Sequence, residues 1–264
     1  MLACNNVSMS LGTEQGGTES ARMLAMAGAS WGRSAANGRR LGAYVYDTVK
    51  ERLLEGQWRA GEFIGVEALR AELGVSKQPV MEALRRLAGD DLVEIIPQVG
   101  CQVPIYPPDE MADFFKLFAS LESEAAAIAA ARRSEPEIAR LTAINAQISA
   151  HSDLPDPHDR VHHYRTLNRE FHAVILEMAH SSVVTRTSSR MWDKSDLLIN
   201  ASGRTDPLAD DIEARHAEHE LIIEALRARD ATAVRDQMRA HILRNIVMLQ
   251  EADKAQRPDA QPLR

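Results

Sequence analysis

Apolar positions recur along most of this chain at intervals of three and four, the spacing of one buried face of an α-helix. Val45, Val49 and Leu53 mark a helix over about Leu41–Glu55, and Gly56 stops it. Val66, Leu69 and Leu73 mark a second, closed by Gly74. Ser76 then caps a third, with Pro79 in its first turn and Val80, Leu84 and Leu87 as the buried stripe. After Asp90-Asp91 the period changes to two short β-branched runs, Val93–Ile96 and Cys101–Ile105, with turn residues Pro97–Gly100 between them. Helix, tight turn, helix and hairpin in that order predict a winged helix-turn-helix, a shape that lays its second helix in the major groove of DNA.

Beyond Tyr106 the pattern is helical throughout. Pro107-Pro108-Asp109 is a short stiff linker, and helices follow at about Asp109–Arg133, Glu135–Ala150, His158–Ala179, Val183–Ile199, Pro207–Ala228 and Ala231–Ala252. Their starts carry local signals: Ser134-Glu135-Pro136-Glu137 is a capping box with proline in the first turn, Asp206-Pro207 repeats the cap-proline pair, and Asp230 caps the last helix. Short connections make antiparallel neighbours. The expected fold is mainly α, an N-terminal winged helix-turn-helix followed by a C-terminal antiparallel helical bundle of about six helices. The corresponding division is a disordered extension over residues 1–38, a DNA-binding domain over 39–105, a linker at 106–108, a helical domain over 109–254 and a disordered tail over 255–264.

Composition supports two helical domains and removes several alternatives. At 264 residues the chain can bury two cores, and 5% aromatic content fits helices better than a β-rich fold. Two cysteines make no disulfide framework and no cysteine-based zinc site, and no apolar run is long enough to cross a bilayer, so a cytoplasmic setting is expected. The net charge of −7 argues against non-specific coating of nucleic acid. Between Arg39 and Pro104 nine Lys/Arg face ten Asp/Glu, so DNA affinity must come from local placement. Arg39, Arg40, Arg70, Ser76, Lys77, Gln78 and Arg85 are the candidate DNA contacts, the last four on or beside the N-terminal half of the recognition helix. For the Arg39-Arg40 pair, a solvated charge run is the competing reading.

All nine histidines lie after residue 150, and helix geometry relates three of them. His219 lies eleven residues before Asp230 and His241 eleven after it, so an antiparallel hairpin places both at one height, roughly 16 Å from the turn. On another helix Asn168 and His172 share a face, four residues apart. Three imidazoles and an amide oxygen converging in a bundle suit zinc, with nickel or manganese as other first-row candidates. Spacing alone leaves a second reading open, in which these are hydrogen-bonded structural histidines. Arg165, seven residues before His172 on the same stripe, and Arg186 with Arg190, spaced by four, are candidates to hold an anionic effector, against the reading that they pair or solvate on the surface.

The segment L-G-V-S-K-Q-P-V-M-E-A-L-R-R-L, the wing P-Q-V-G-C-Q-V, and the downstream N-R-E-F-H, A-E-H-E-L-I-I-E-A-L-R-A-R-D and M-R-A-H-I together resemble the GntR superfamily of bacterial transcription regulators, in the FadR-type branch with a C-terminal FCD domain. The resemblance covers about Leu41–Ala252. It implies a metal held by Asn168, His172, His219 and His241, with Asp usual at the first position, and a homodimer whose helical domain senses a small molecule, a carboxylate among the candidates. This chain departs from the pattern at Lys77 and Met81, where DNA-contacting arginines are usual, at Val99 in the wing, and at Phe118, where many relatives carry Arg. The expected function is therefore a ligand-responsive regulator, a repressor in the first instance, binding a palindromic double-stranded operator as a dimer, not an enzyme and not membrane-bound. The Pro107-Pro108 linker would transmit the signal. Two rivals stand beside it: a regulator whose helical domain only dimerises, and a metal-dependent hydrolase that activates water at the three histidines.

Overall fold

A computed structural model describes residues 40–98, 100–201 and 212–256. Arg39, Val99, the Asp206-Pro207 cap and the expected disordered segment at 1–38 lie outside the described residues, as do residues 257–264 of the expected tail.

The N-terminal half begins with α1 (residues 40–54), whose end is marked by Gly56 at φ +75. β1 (Phe63–Ile64), α2 (Val66–Leu73), α3 (Lys77–Gly89), β2 (Glu94–Ile96) and β3 (Gly100–Gln102) follow. Gly74 closes α2 at φ 64, a left-handed position that costs a side chain-bearing residue more than glycine. Ser76 is the N-cap of α3 by backbone geometry, yet its hydroxyl makes no capping bond, contrary to expectation. The reason is local: the third helical position is Pro79, which has no N–H to offer. The wing also holds one strand more than its sequence pattern announces. β3 lies between β2 and β1, with Ile95 opposite Cys101 and Ile64 opposite Cys101 on the other edge. A two-residue strand is too short for alternation to be read, and the expected run Cys101–Ile105 is paired only over Gly100–Gln102, where β1 and β2 supply partners.

α4 (Pro108–Arg132), α5 (Glu135–Ser152), α6 (Pro157–Met178), α7 (Ser182–Asn200), α8 (Ile212–Arg227) and α9 (Ala231–Gln256) form the bundle. With α1 to α3 this makes nine helices among the described residues. The capping signals hold where they can be seen. The Ser134 N–H donates to the Glu137 carboxylate at 2.7 Å, and the N–H groups of Thr232 and Ala233 donate to the Asp230 carboxylate at 3.0 Å. Pro108 occupies the first turn of α4, so the linker is absorbed into a helix start, and α9 runs two residues into the expected tail. α4 packs most extensively on α9, α5 on α6 and α8, and α8 on α9. Phe115, Phe118, Leu141, Ile148, Phe171, Ile175 and Met178 are fully buried between them, each contributing about 1.5–3 kcal/mol relative to exposure.

The two cores meet at α7. Leu197 and Ala201, from the end of that helix, are buried among Val45, Val49, Leu53, Leu84 and Leu87 of the DNA-binding half. Polar bonds frame this seam. The Ala60 N–H donates to the Ala201 carbonyl at 2.9 Å, Lys50 pairs with Asp193 at 2.5 Å, and Lys194 donates to the Asp91 carbonyl at 2.5 Å. The chain connection at Pro107-Pro108 is thus not the sole link between the halves.

Candidate functional site

Three imidazoles converge in the bundle interior from three helices: His172 of α6, His219 of α8 and His241 of α9. All are at most 3% exposed, and their available ligand atoms lie within 4.8 Å of one another. The hairpin reasoning from Asp230 is met, since the rings of His219 and His241 are 4.8 Å apart. Neighbouring groups orient two of the rings. Nδ1 of His241 is 2.7 Å from Oε2 of Glu218, and Nδ1 of His219 is 3.2 Å from Oδ1 of Asn145. Asn145 is itself turned by its amide, which donates to Glu220 at 2.6 Å, so its carbonyl oxygen must face the ring. With a proton on each Nδ1, the Nε2 lone pairs of His219 and His241 point into the cluster, the tautomer a bound metal requires.

The donor set fits a divalent cation. Nε2 of His219 is buried and has no hydrogen-bond partner among the described residues. Nε2 of His172 and Nε2 of His241 are 3.2 Å apart, close to the separation of about 3.3 Å that two nitrogens on one tetrahedral zinc would have at bonds of ~2.05 Å. Burial, then the neighbouring His241 ring, whose protonation would compete, and the positive Arg215, holds His172 and His219 well below the usual imidazole range. For His241 burial outweighs the Glu218 hydrogen bond and the net direction is also down. Neutral imidazoles are the form that binds metal. Asn168 lies one turn before His172, and its Oδ1 accepts a hydrogen bond from the Tyr164 hydroxyl at 3.2 Å.

A small cavity adjoins the trio. His241, Asn168, Trp192, Ser195, Arg165 and Asn200 are among its walls, and its free volume is about 30 Å³. Arg215 stands against it fully buried, donating to the His241 carbonyl and to Asn245 Oδ1, each at 2.8 Å. Trp192 tilts over His172 with ring centroids 4.3 Å apart, and its indole N–H donates to buried Glu122 at 3.0 Å. Burial pushes the Glu122 carboxyl up to about 7, although Ser188 and Trp192 both donate to it.

Of the three arginines expected near an effector, only Arg165 lines this cavity. Arg186 and Arg190 are exposed, and Arg190 points toward Asp90 of the DNA-binding half at 4.0 Å. The inward stripe of α7 runs through Ser188, Trp192, Ser195 and Ile199, a phase that leaves positions 186 and 190 on the outside. Arg215, Glu218, Asn145 and Glu122 escaped sequence reasoning. The available signal was polarity inside an apolar stripe, as at Asn145 between Ile144 and Ile148, or a four-residue step to a histidine, as at Arg215.

On the DNA-binding half, Lys77, Gln78 and Arg85 are exposed along α3, and Ser76 is exposed just before it. Met81 is half-buried, which fits an apolar residue where a basic one is usual. Arg40 is exposed at the start of α1, whereas Arg70 is paired with Glu67. Arg86 stacks on Tyr46, 3.9 Å from its ring centroid, which orients the C-terminal half of α3 on α1.

Residues 41–103 match the profile described as bacterial regulatory proteins, gntR family, and residues 113–244 match the FCD domain. The chain belongs to the GntR family. It is 23% identical over 209 residues to the HTH-type transcriptional repressor GlaR of Escherichia coli K12, covering 78% of this chain and 94% of that one. It is 24% identical over 218 residues to the HTH-type transcriptional regulator BphR of Paraburkholderia xenovorans, covering 82% and 88%. Its fold is similar to that of E. coli McbR/YncC, with a TM-score of 0.68 at 19% identity over 80% of this chain and 98% of that one. The GntR family and these relatives are transcription regulators, so the hydrolase alternative falls. No helix among the described residues is long and apolar enough to cross a membrane.

Proposed function

We propose that this GntR-family regulator is a metal-containing, effector-responsive repressor that binds a palindromic operator as a homodimer. The observation that carries the reading is the convergence of His172, His219 and His241 in the FCD domain, one ring nitrogen of each within 4.8 Å of the others and two of the rings oriented through Nδ1 by Glu218 and Asn145. Asn168 supplies a fourth donor through its amide oxygen, and zinc, nickel or manganese suits the set. When bound, the cation offers an electropositive point beside the cavity, to which a small carboxylate can add an oxygen ligand. Lys77, Gln78 and Arg85, with Arg39 and Arg40 at the start of the domain, meet the DNA. An effector shifts operator affinity only if it prefers one placement of the two DNA-binding halves over another.

Elemental analysis of the purified protein and of its His219→Ala variant, with gel shifts on promoter fragments beside its own gene, tests this. The expected result is stoichiometric metal lost in the variant, and sequence-selective retardation that changes when metal is stripped. Unchanged metal content in the variant would leave the helical domain as a dimerisation module alone.

A further inference from the structure

Residues 151–163, which close α5, turn and open α6, hold four of the chain's nine histidines and three aspartates in the run H-S-D-L-P-D-P-H-D-R-V-H-H. Neither the buried cluster nor the DNA contacts draw on them. So dense a mixture of imidazole and carboxylate is the composition of a metal-binding tract. The fold turns it into geometry. α5 and α6 pack on each other, and the turn between them is braced by Arg160, which donates to the Leu154 carbonyl at 2.7 Å. The ring of His151, at the end of α5, thereby lies 4.6 Å from that of His163, near the start of α6, with the two planes inclined by 32°. His162 stands beside them, its ring 5.8 Å from that of His163.

His151 is already oriented as a ligand would be. Its Nδ1 lies 2.7 Å from the carbonyl of Gln147, one turn back on α5. A carbonyl only accepts, so Nδ1 carries the proton and the neutral ring presents its Nε2 lone pair, the arrangement that Glu218 and Asn145 impose on two of the buried rings. Two imidazoles on one divalent ion, at metal–nitrogen bonds of ~2.05 Å, have centroids about 4.5–5.2 Å apart as the angle at the metal opens from a right angle to the tetrahedral one. The observed 4.6 Å falls at the right-angle end, which suits the tetragonal sites of copper and nickel. Asp159 is exposed one turn before His163 on the same face of α6 and offers a carboxylate oxygen. We infer that His151 and His163, with Asp159, form a second metal site, a clasp across the α5–α6 turn for a divalent copper or nickel ion whose remaining positions water fills. His163 is exposed and His151 half-buried, so this ion exchanges with the medium, whereas the buried trio is closed to it. Binding ties the end of α5 to the start of α6. The inference does not depend on the buried cluster holding metal.

Titration of the tag-free, full-length protein with Cu²⁺ and Ni²⁺ tests this, followed by calorimetry and, for Cu²⁺, by electron paramagnetic resonance. Wild type and His219→Ala, which lacks a buried ligand, are both expected to take up an exposed equivalent of Cu²⁺ with nitrogen hyperfine splitting, and Ni²⁺ more weakly. Hydrogen exchange over residues 152–157 should slow when that ion binds. His151→Ala and His163→Ala should each lower its affinity about tenfold or more. His180→Ala, which removes an exposed histidine beyond the other end of α6, should leave it unchanged. All three side chains reach solvent, and circular dichroism checks that the variants stay folded. Uptake that is absent, or that is the same in wild type, His151→Ala and His163→Ala, overturns the site.

Discussion

Oε2 of Glu218 lies 2.7 Å from Nδ1 of His241, and the same carboxylate accepts from Arg244 at 3.0 Å and faces Arg215 at 3.6 Å. One side chain therefore sets a ring tautomer and balances two guanidinium groups beside a three-histidine cluster. Burial pushes the Glu218 carboxyl up, but the His241 hydrogen bond and its positive neighbours outweigh that, and the net direction is down. Glu218→Ala is expected to lower metal affinity by about 10–100-fold while leaving the helical content intact. Competition titration against a chromophoric chelator, with circular dichroism as control, checks this. An affinity within a factor of two of wild type would show that Glu218 does not orient the ligand.

The histidines also make stability depend on pH in a definite direction. His172, His219 and His241 are neutral in the fold because burial lowers their affinity for protons. The unfolded chain takes those protons up below about pH 6.5. Since the unfolded state then binds more protons, the metal-free protein loses stability as pH falls from about 7.5 to 5.5. His219→Leu should flatten that slope in denaturant titrations, and an identical slope in wild type and variant would count against a neutral His219.

Glu122 gives the opposite sign. Its carboxyl is pushed up to about 7 by burial, so the folded state favours the proton, and the cost of burying the charge grows as pH rises through that value. Glu122→Gln should be close to neutral at pH 5 and stabilising by roughly 2–3 kcal/mol at pH 8, because the amide oxygen can still accept from Trp192. Melting curves of both proteins across that range decide it; equal shifts at the two pH values would remove the buried-acid account.

On the recognition helix, exposed Lys77 and Gln78 should behave differently. Lys77→Ala is expected to weaken binding to all DNA and to reduce the slope of log affinity against log salt by about 1. Gln78→Ala should change preference at one base pair, by about 1–3 kcal/mol, with the slope unaltered. Fluorescence anisotropy at several salt concentrations separates the two, and a Lys77→Ala slope equal to wild type would place that residue off the phosphates.

Much of the architecture was legible because it is written locally. Periodicity located α1 to α9, Gly56 and Gly74 their stops, and the Asp230 cap placed His219 and His241 level with each other across a hairpin. The two-residue strand β1 and the silent Ser76 hydroxyl were not legible, the first for want of length and the second because the Pro79 effect on capping shows only when helix positions are known. Arg186 and Arg190 stand exposed on the outer face of α7, away from the cavity, a phase that spacing within a single element does not reveal.

The sequence by itself determined the elements, the family pattern and which histidines could meet. Tertiary structure alone decided what surrounds them: Asn145 against His219, Glu122 beneath Trp192, and Arg165 and Asn200 on the carbonyl of Leu54. The physical reason is separation along the chain. Caps and stripes act over one or two turns, whereas Asn200 meets Leu54 across 146 residues, a pairing fixed only when α7 packs its end into the core of the other domain.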